Sequence, residues 1–172
     1  QAPSDEAPSS YVIRSVDFEV KGKTIPFVLR QKIEADGPVI GRDFPDLASL
    51  EAFIEEKRTV LANNRVLESV ESGYTLTAES GGAAGVALVY SVADTWNIMA
   101  FPIPDYSSDS GFKFYIKGKD YNFLGSMEPL TLNVFYVYDE KGNQSFETDA
   151  SFKYPFKALN LEWNLGLSED LE

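Results

Sequence analysis

Residues 65–92 read RVLESVESGYTLTAESGGAAGVALVYSV. Val70, Tyr74, Leu76 and Ala78 share one parity, Ser80-Gly81-Gly82 supplies a turn, and Val86, Leu88, Tyr90 and Val92 repeat the parity on the way back. Period-two alternation around a Gly-rich break is the pattern of a β-hairpin with one buried face. A lone hairpin cannot cover that face in water. The fold is therefore decided by the segments on either side.

Upstream, Tyr11 to Val20 alternates, with Val12, Val16, Phe18 and Val20 on one parity and Ser15, Asp17 and Glu19 on the other, which predicts a half-buried strand. Gly22 breaks it. Thr24 then precedes Ile25, Pro26, Val28, Leu29 and Ile33, a spacing that predicts a short helix with Thr24 as N-cap and proline in the first turn. A loop is expected from Ala35 to Pro45. Asp46 can cap a second helix lined by Leu47, Leu50, Phe53, Ile54, Val60 and Leu61, with Glu51, Glu55, Glu56 and Arg58 toward water and Asn63-Asn64 at its end. The class is α+β. Its first part is a β-α-α-β-β unit in which two helices cover one face of a three-stranded sheet.

Downstream the helical signal stops. Phe112 to Lys119 alternates apolar residues with lysine, and Leu130, Leu132, Val134, Tyr136 and Tyr138 oppose Thr131, Asn133 and Asp139. Phe146, Ala150, Phe152, Tyr154 and Phe156 oppose Glu147, Asp149, Ser151 and Lys153, and Leu159, Leu161, Trp163, Leu165 and Leu167 oppose Asn160, Glu162 and Asn164. These runs predict an antiparallel β-meander. Each approaches the roughly 9–11 residues with which a tilted barrel strand crosses a bilayer, and aromatics gather toward the strand ends.

Two resemblances follow from this order of segments. Residues 11–94, through "TIPFVLRQKIE", "GRDFPDLASLEAFIEEKRTVLANN" and the hairpin, resemble the POTRA (polypeptide-transport-associated) domain. Residues 95–172, through "PIPDYSSDSG", "KDYNFLGS" and "YPF", resemble the opening strands of the bacterial surface-antigen barrel of BamA- and TamA-like proteins. The family's Arg-Gly-aromatic loop motif is absent, and the strands number too few to close such a barrel. The resemblance therefore implies an N-terminal fragment with a partial barrel, preceded by a disordered lead-in over residues 1–10.

Composition narrows the chemistry. With no Cys and no His, thiolate, Ser-His and His-rich zinc sites are impossible, so no catalytic residue, metal site or cofactor is expected and an enzyme is disfavoured. A net charge of -12 repels phosphate backbones, which argues against nucleic acid. Asp105-Tyr106-Ser107-Ser108-Asp109 lacks the full carboxylate loop of a calcium site. Gly81-Gly82-Ala83-Ala84-Gly85 lacks the Lys-Ser/Thr of a phosphate loop.

The resemblance implies an outer-membrane protein assembly or translocation component, located in the outer membrane with its first domain in the periplasm. Its partners would be unfolded outer-membrane or secreted polypeptides, met through an edge strand comprising Val66, Leu67, Ser69, Val70, Glu71, Gly73, Tyr74 and Thr75. Against this, Glu68 and Glu71 are charges of the kind that protect an edge from pairing. Lipid would be met by Phe112, Phe114, Ile116, Leu130, Leu132, Val134, Phe152, Leu161, Trp163 and Leu165, with Lys113, Lys117 and Lys119 toward a wet lumen. A solvated sheet face would show the same periodicity. The alternatives are a soluble envelope module holding a lipid or glycan near Trp96 or Trp163, and a structural spacer. Self-association of the exposed apolar face is a further expectation.

Overall fold

The first strand, β1 (Ser10–Lys21), buries Tyr11, Ile13 and Val16, a sequence of positions that changes parity at Arg14. Its register against β4 (Ala83–Asp94) shifts between Ile13 and Ser15, so Arg14 is the additional residue of a β-bulge. This corrects the expectation that Val12 shares a face with Val16: Tyr11 and Ile13 enter the core and Val12 is half-buried. The guanidinium of Arg14 grips Glu79 through two bonds, Nε to Oε1 at 2.8 Å and Nη2 to Oε2 at 2.6 Å.

The structure, a computed structural model, describes residues 8–79, 82–107, 111–138, 141–142, 144–158 and 161–171; for Gly111 and for residues 155–158 and 161–171 only the backbone is described. Of the lead-in expected over residues 1–10, residues 1–7 lie outside the described residues, as do the turn residues at 80–81, 108–110, 139–140 and 143. At its end the expectation is corrected, since the Ser9 amide donates to the Gly82 carbonyl at 2.8 Å and Ser10 opens β1. The chain divides into two compact units, Gln1–Thr95 and Trp96–Glu172.

In the first unit, α1 (Pro26–Ile33), β2 (Asp43–Phe44), α2 (Leu47–Ala62) and β3 (Leu67–Ala78) lie between β1 and β4. The sheet order is β2-β1-β4-β3, with β1 parallel to β4 and the other pairs antiparallel. Four strands replace the expected three. The addition, β2, pairs Phe44 with Tyr11 and Asp43 with Val12, and two residues are too few to show periodicity. The parallel neighbours β1 and β4 need a long crossover, which the two helices provide.

The helices cover one face. Val28, Leu29 and Ile33 of α1 and Leu50, Phe53, Ile54 and Leu61 of α2 are buried with Ile13, Val16, Val86, Leu88, Tyr90 and Val92 of the sheet. Asp46 caps α2 by accepting from the Ser49 amide at 2.7 Å, and that bond holds its carboxyl below the usual range. Thr24 does not cap α1. Ile25 occupies the N-cap position without a side-chain bond, because the Thr24 hydroxyl donates to Asp94 Oδ1 at 2.6 Å. Ile25, Leu47, Val60 and Leu76, expected on buried stripes, are exposed, as is Ala78. The side chains of α2 reach Val70 and Tyr74, and β3 runs on beyond that cover.

The second unit is a five-stranded antiparallel meander in the order β5 (Ile98–Ser107), β6 (Gly111–Asp120), β7 (Leu130–Tyr138), β8 (Gln144–Ala158) and β9 (Leu161–Leu171). Its pairings carry no register shift. No helix among the described residues is long and apolar enough to cross a membrane.

Two measurements test this core. Gly22 has φ +149°, and a Cβ there would lie 2.4 Å from Asp94 Cγ. Gly22→Ala should therefore lower stability by about 1–3 kcal/mol in urea unfolding. Tyr90 donates to the Ile54 carbonyl at 3.2 Å, and burial, then the charges of Glu55 and Glu56, raises its phenol far above the ordinary 10.0. The unfolded chain ionises this group first, so its contribution is complete below pH 10 and lost as pH rises above it. Tyr90→Phe should cost about 1 kcal/mol at neutral pH and make the loss of stability above pH 10 shallower.

Candidate functional site

β3 ends its sheet, and among the described residues no strand pairs on its far side. Of the candidate edge residues, Ser69, Glu71, Gly73 and Thr75 are exposed, Tyr74 is half-buried, and Leu67 and Val70 are buried. Val66 precedes the strand. Its amide donates to Asn64 Oδ1 at 3.2 Å and its carbonyl accepts from the Thr95 amide at 3.0 Å, so its backbone is engaged within the unit. Glu68, one of the two expected guard charges, is the inserted residue where the register against β4 shifts between Leu67 and Ser69.

Helix α2 flanks this edge with polar groups. Tyr74 donates to Glu51 Oε1 at 2.8 Å, a bond that raises its phenol above the ordinary range. Arg58 holds Glu55 through Nε at 2.7 Å and reaches the Val70 carbonyl at 3.4 Å. The other long side of the sheet has a parallel device: β2 covers only the start of β1, and Arg30 of α1 donates to the Val16 carbonyl at 2.5 Å. β3 and the part of β1 that β2 leaves uncovered thus each give one carbonyl to an arginine from a covering helix. The rest of β3 from Glu71 to Ala78 remains the longer exposed run, and extended backbone with unpaired amides and carbonyls is the chemistry that accepts an added strand.

In the meander, register sets the faces. Phe112, Phe114, Ile116 and Gly118 pair with Tyr138, Tyr136, Val134 and Leu132, and those with Gln144, Phe146, Thr148 and Ala150. Leu130 pairs with Asp120 on one side and Phe152 on the other. The candidate lipid-facing residues whose side chains are described therefore share one face. Phe112, Ile116 and Leu132 are exposed on it, and Phe114, Leu130, Val134 and Phe152 are half-buried. Leu161, Trp163 and Leu165 pair with Ala158, Phe156 and Tyr154, in line with that face; their side chains lie outside the described residues.

The opposite face carries most of the charged and polar side chains of β6 to β8, interrupted by Tyr115, Phe135 and Val137. Lys117 pairs with Asn133, whose amide donates to Asp149 at 2.7 Å, and Lys113 sits opposite Asp105. One feature went unread in the sequence. β5 is apolar on both faces, with Met99, Phe101 and Ile103 exposed on the polar side opposite Lys119, Lys117 and Tyr115. A continuous apolar run hides its own alternation.

The turn from β6 to β7 is tightly built. Asn122 is fully buried and accepts from the Met127 amide at 2.9 Å, the Ser126 hydroxyl donates to the Phe123 carbonyl at 2.6 Å, and Phe123 packs edge-on against Phe152 at 5.1 Å. Among the described residues no group of three or more acidic side chains could hold a metal ion; Ser108 and Asp109 of the weighed calcium loop lie outside them.

No family model matches this sequence, and no curated protein does. Solved structures are similar. The crystal structure of BamA from Haemophilus ducreyi lacking POTRA domains 1-3 matches at TM-score 0.53 and 16% identity, over 86% of this chain and 29% of that one. CdiB from Acinetobacter baumannii is 20% identical over 92% of this chain and 28% of that one, with a TM-score of 0.44 that is too low for a fold argument. The chain thus spans less than a third of the length of either protein. At 16% identity the BamA likeness is one of fold: a helix-backed sheet and an antiparallel meander occur in the same chain.

An uncovered apolar sheet face should associate in water. Sedimentation of the isolated chain should show concentration-dependent self-association that detergent reverses; a monomer at high concentration without detergent would contradict the exposed face.

Proposed function

We propose that this chain is the non-enzymatic leading part of an outer-membrane protein assembly or translocation component. In this reading the first unit is a POTRA-type domain in the periplasm, and the meander opens a membrane β-barrel whose remaining strands lie in a longer protein. The observation that carries it is a face of the meander that is largely aromatic and aliphatic over several successive strands and stays half-buried or exposed, opposed by a face that carries Lys113, Lys117, Lys119, Asn133 and Asp149. A barrel wall between lipid and a wet lumen has this distribution. The fold likeness to BamA supports the same reading.

The partner of the first unit is an unfolded outer-membrane or secreted polypeptide, added as a strand along β3, and the outer-membrane lipid is the partner of the meander. No cofactor enters. The alternative, a soluble module enclosing a lipid or glycan near Trp96, is disfavoured because Trp96 is 80% exposed.

A photo-crosslinking residue at Glu71 or Thr75, both exposed on β3, should capture an outer-membrane polypeptide diluted from urea, and one at exposed Lys23 should not. Val70→Pro removes a backbone donor and should reduce capture strongly. Unchanged capture by a variant with native circular dichroism would sink the edge assignment.

A further inference from the structure

In the β6–β7 turn, Leu124 is 72% exposed and has φ +53°, a left-handed conformation that a branched aliphatic residue rarely adopts. Its neighbours hold it there. Phe123 and Glu128 close the loop through an amide-to-carbonyl bond of 3.2 Å, the Gly125 amide donates to the Asn122 carbonyl at 3.1 Å, and the buried Asn122 side chain fixes Met127. A turn that needed only to reverse the chain would be served by Asn or Gly at this position. Leu124 instead combines an unfavourable backbone with an unfavourable exposure, and both are imposed by a rigid frame.

Trp96 lies at the same end of the meander. The Tyr121 amide donates to the Asn97 carbonyl at 2.9 Å, and Ile98 opens β5 opposite Asp120, so Trp96 enters beside the turn that carries Leu124. Lys119 stands 4.7 Å from the Tyr121 ring in the same corner. An exposed indole, a projecting aliphatic group and a cation on an aromatic ring form the set that settles at the boundary between acyl chains and headgroups. At this corner the charged Asp120 stands in register with Leu130 and Phe152, the first apolar residues of that face, so the lipid proposed for the face would end here.

We infer that Trp96 and Leu124 form an interfacial anchor that seats this end of the meander in the headgroup layer of a phospholipid bilayer. The inference rests on the lipid-facing reading of the strands, and the test separates the two. The chain has two tryptophans, so Trp163→Phe leaves Trp96 as the sole reporter. On reconstitution of the full chain into phosphatidylcholine vesicles, Trp96 emission should shift to the blue. Lipids brominated near the headgroup should quench it more than lipids brominated deep in the acyl chain. Leu124→Asn, which suits a left-handed backbone, should keep the fold and remove most of that quenching. As a separate reporter of the sheet face, Val134→Trp with both native tryptophans changed to Phe should be quenched best by the deep bromines.

Quenching at the Val134 position without any at Trp96 would overturn the anchor and leave the strand reading intact. Quenching of Trp96 without any at the Val134 position would support the anchor and overturn the strand reading. A Trp96 blue shift that follows protein concentration in the absence of lipid would assign the corner to a second copy of the chain and overturn the inference. Quenching unchanged by Leu124→Asn would overturn the role of Leu124.

Discussion

The carboxylate of Asp94 holds the first unit together at the place where its topology is hardest to satisfy. It accepts from the Lys23 amide at 2.8 Å, the Thr24 amide at 3.0 Å and the Thr24 hydroxyl at 2.6 Å. Those donors belong to the bend between β1 and α1, and Asp94 closes β4. Since β1 and β4 are parallel neighbours, both strands end at the same side of the sheet, and the start of the crossover must turn there without leaving buried amides unsatisfied. Gly22 makes the approach possible because no Cβ intervenes. The direction of α1, and with it the placing of Val28, Leu29 and Ile33 over the sheet, follows from this closure.

The two units treat an alternating strand pattern in different ways. In the first, α1 and α2 take the apolar face out of water, and Tyr90, Leu88 and Val86 are fully buried. In the second, the described apolar side chains of β6, β7 and β8 remain half-buried or exposed. The same period-two chemistry therefore yields a finished core in one place and a partly exposed apolar face in the other. Burial of such a face is worth about 25 cal/mol per Å² of apolar surface. A barrel wall in lipid would recover it without helices.

Both free lengths of strand edge in the first sheet, along β3 and along β1 beyond β2, are managed by the helices that cover it. Arg30 and Arg58 each bring a guanidinium to a strand carbonyl, at Val16 and Val70. Exposed strand edges invite unwanted pairing, and charged side chains are a common protection. β3 keeps a longer exposed run than β1 keeps protected, and the proposed client strand would lie there beside the acidic flank of Glu51 and Glu55.

Sequence alone determined the order of the longer elements, the Asp46 cap, the helix end at Asn63 and the shared parity of Phe112, Ile116, Leu130, Leu132 and Phe152, because capping and alternation are local and periodic. Local pattern was insufficient wherever a distant group changed the outcome. Thr24 left its cap for Asp94, seventy residues away in the chain. The bulge at Arg14 moved Tyr11 and Ile13 into the core, β2 was too short to carry a period, and β5 concealed its two faces behind uniform apolarity. The corner at Trp96 and Leu124 could be found only once pairing of Ile98 with Asp120 brought the start of the meander to its first tight turn. Periodicity encodes which side of a strand is apolar; strand pairing and the presence or absence of a covering helix decide what that side meets.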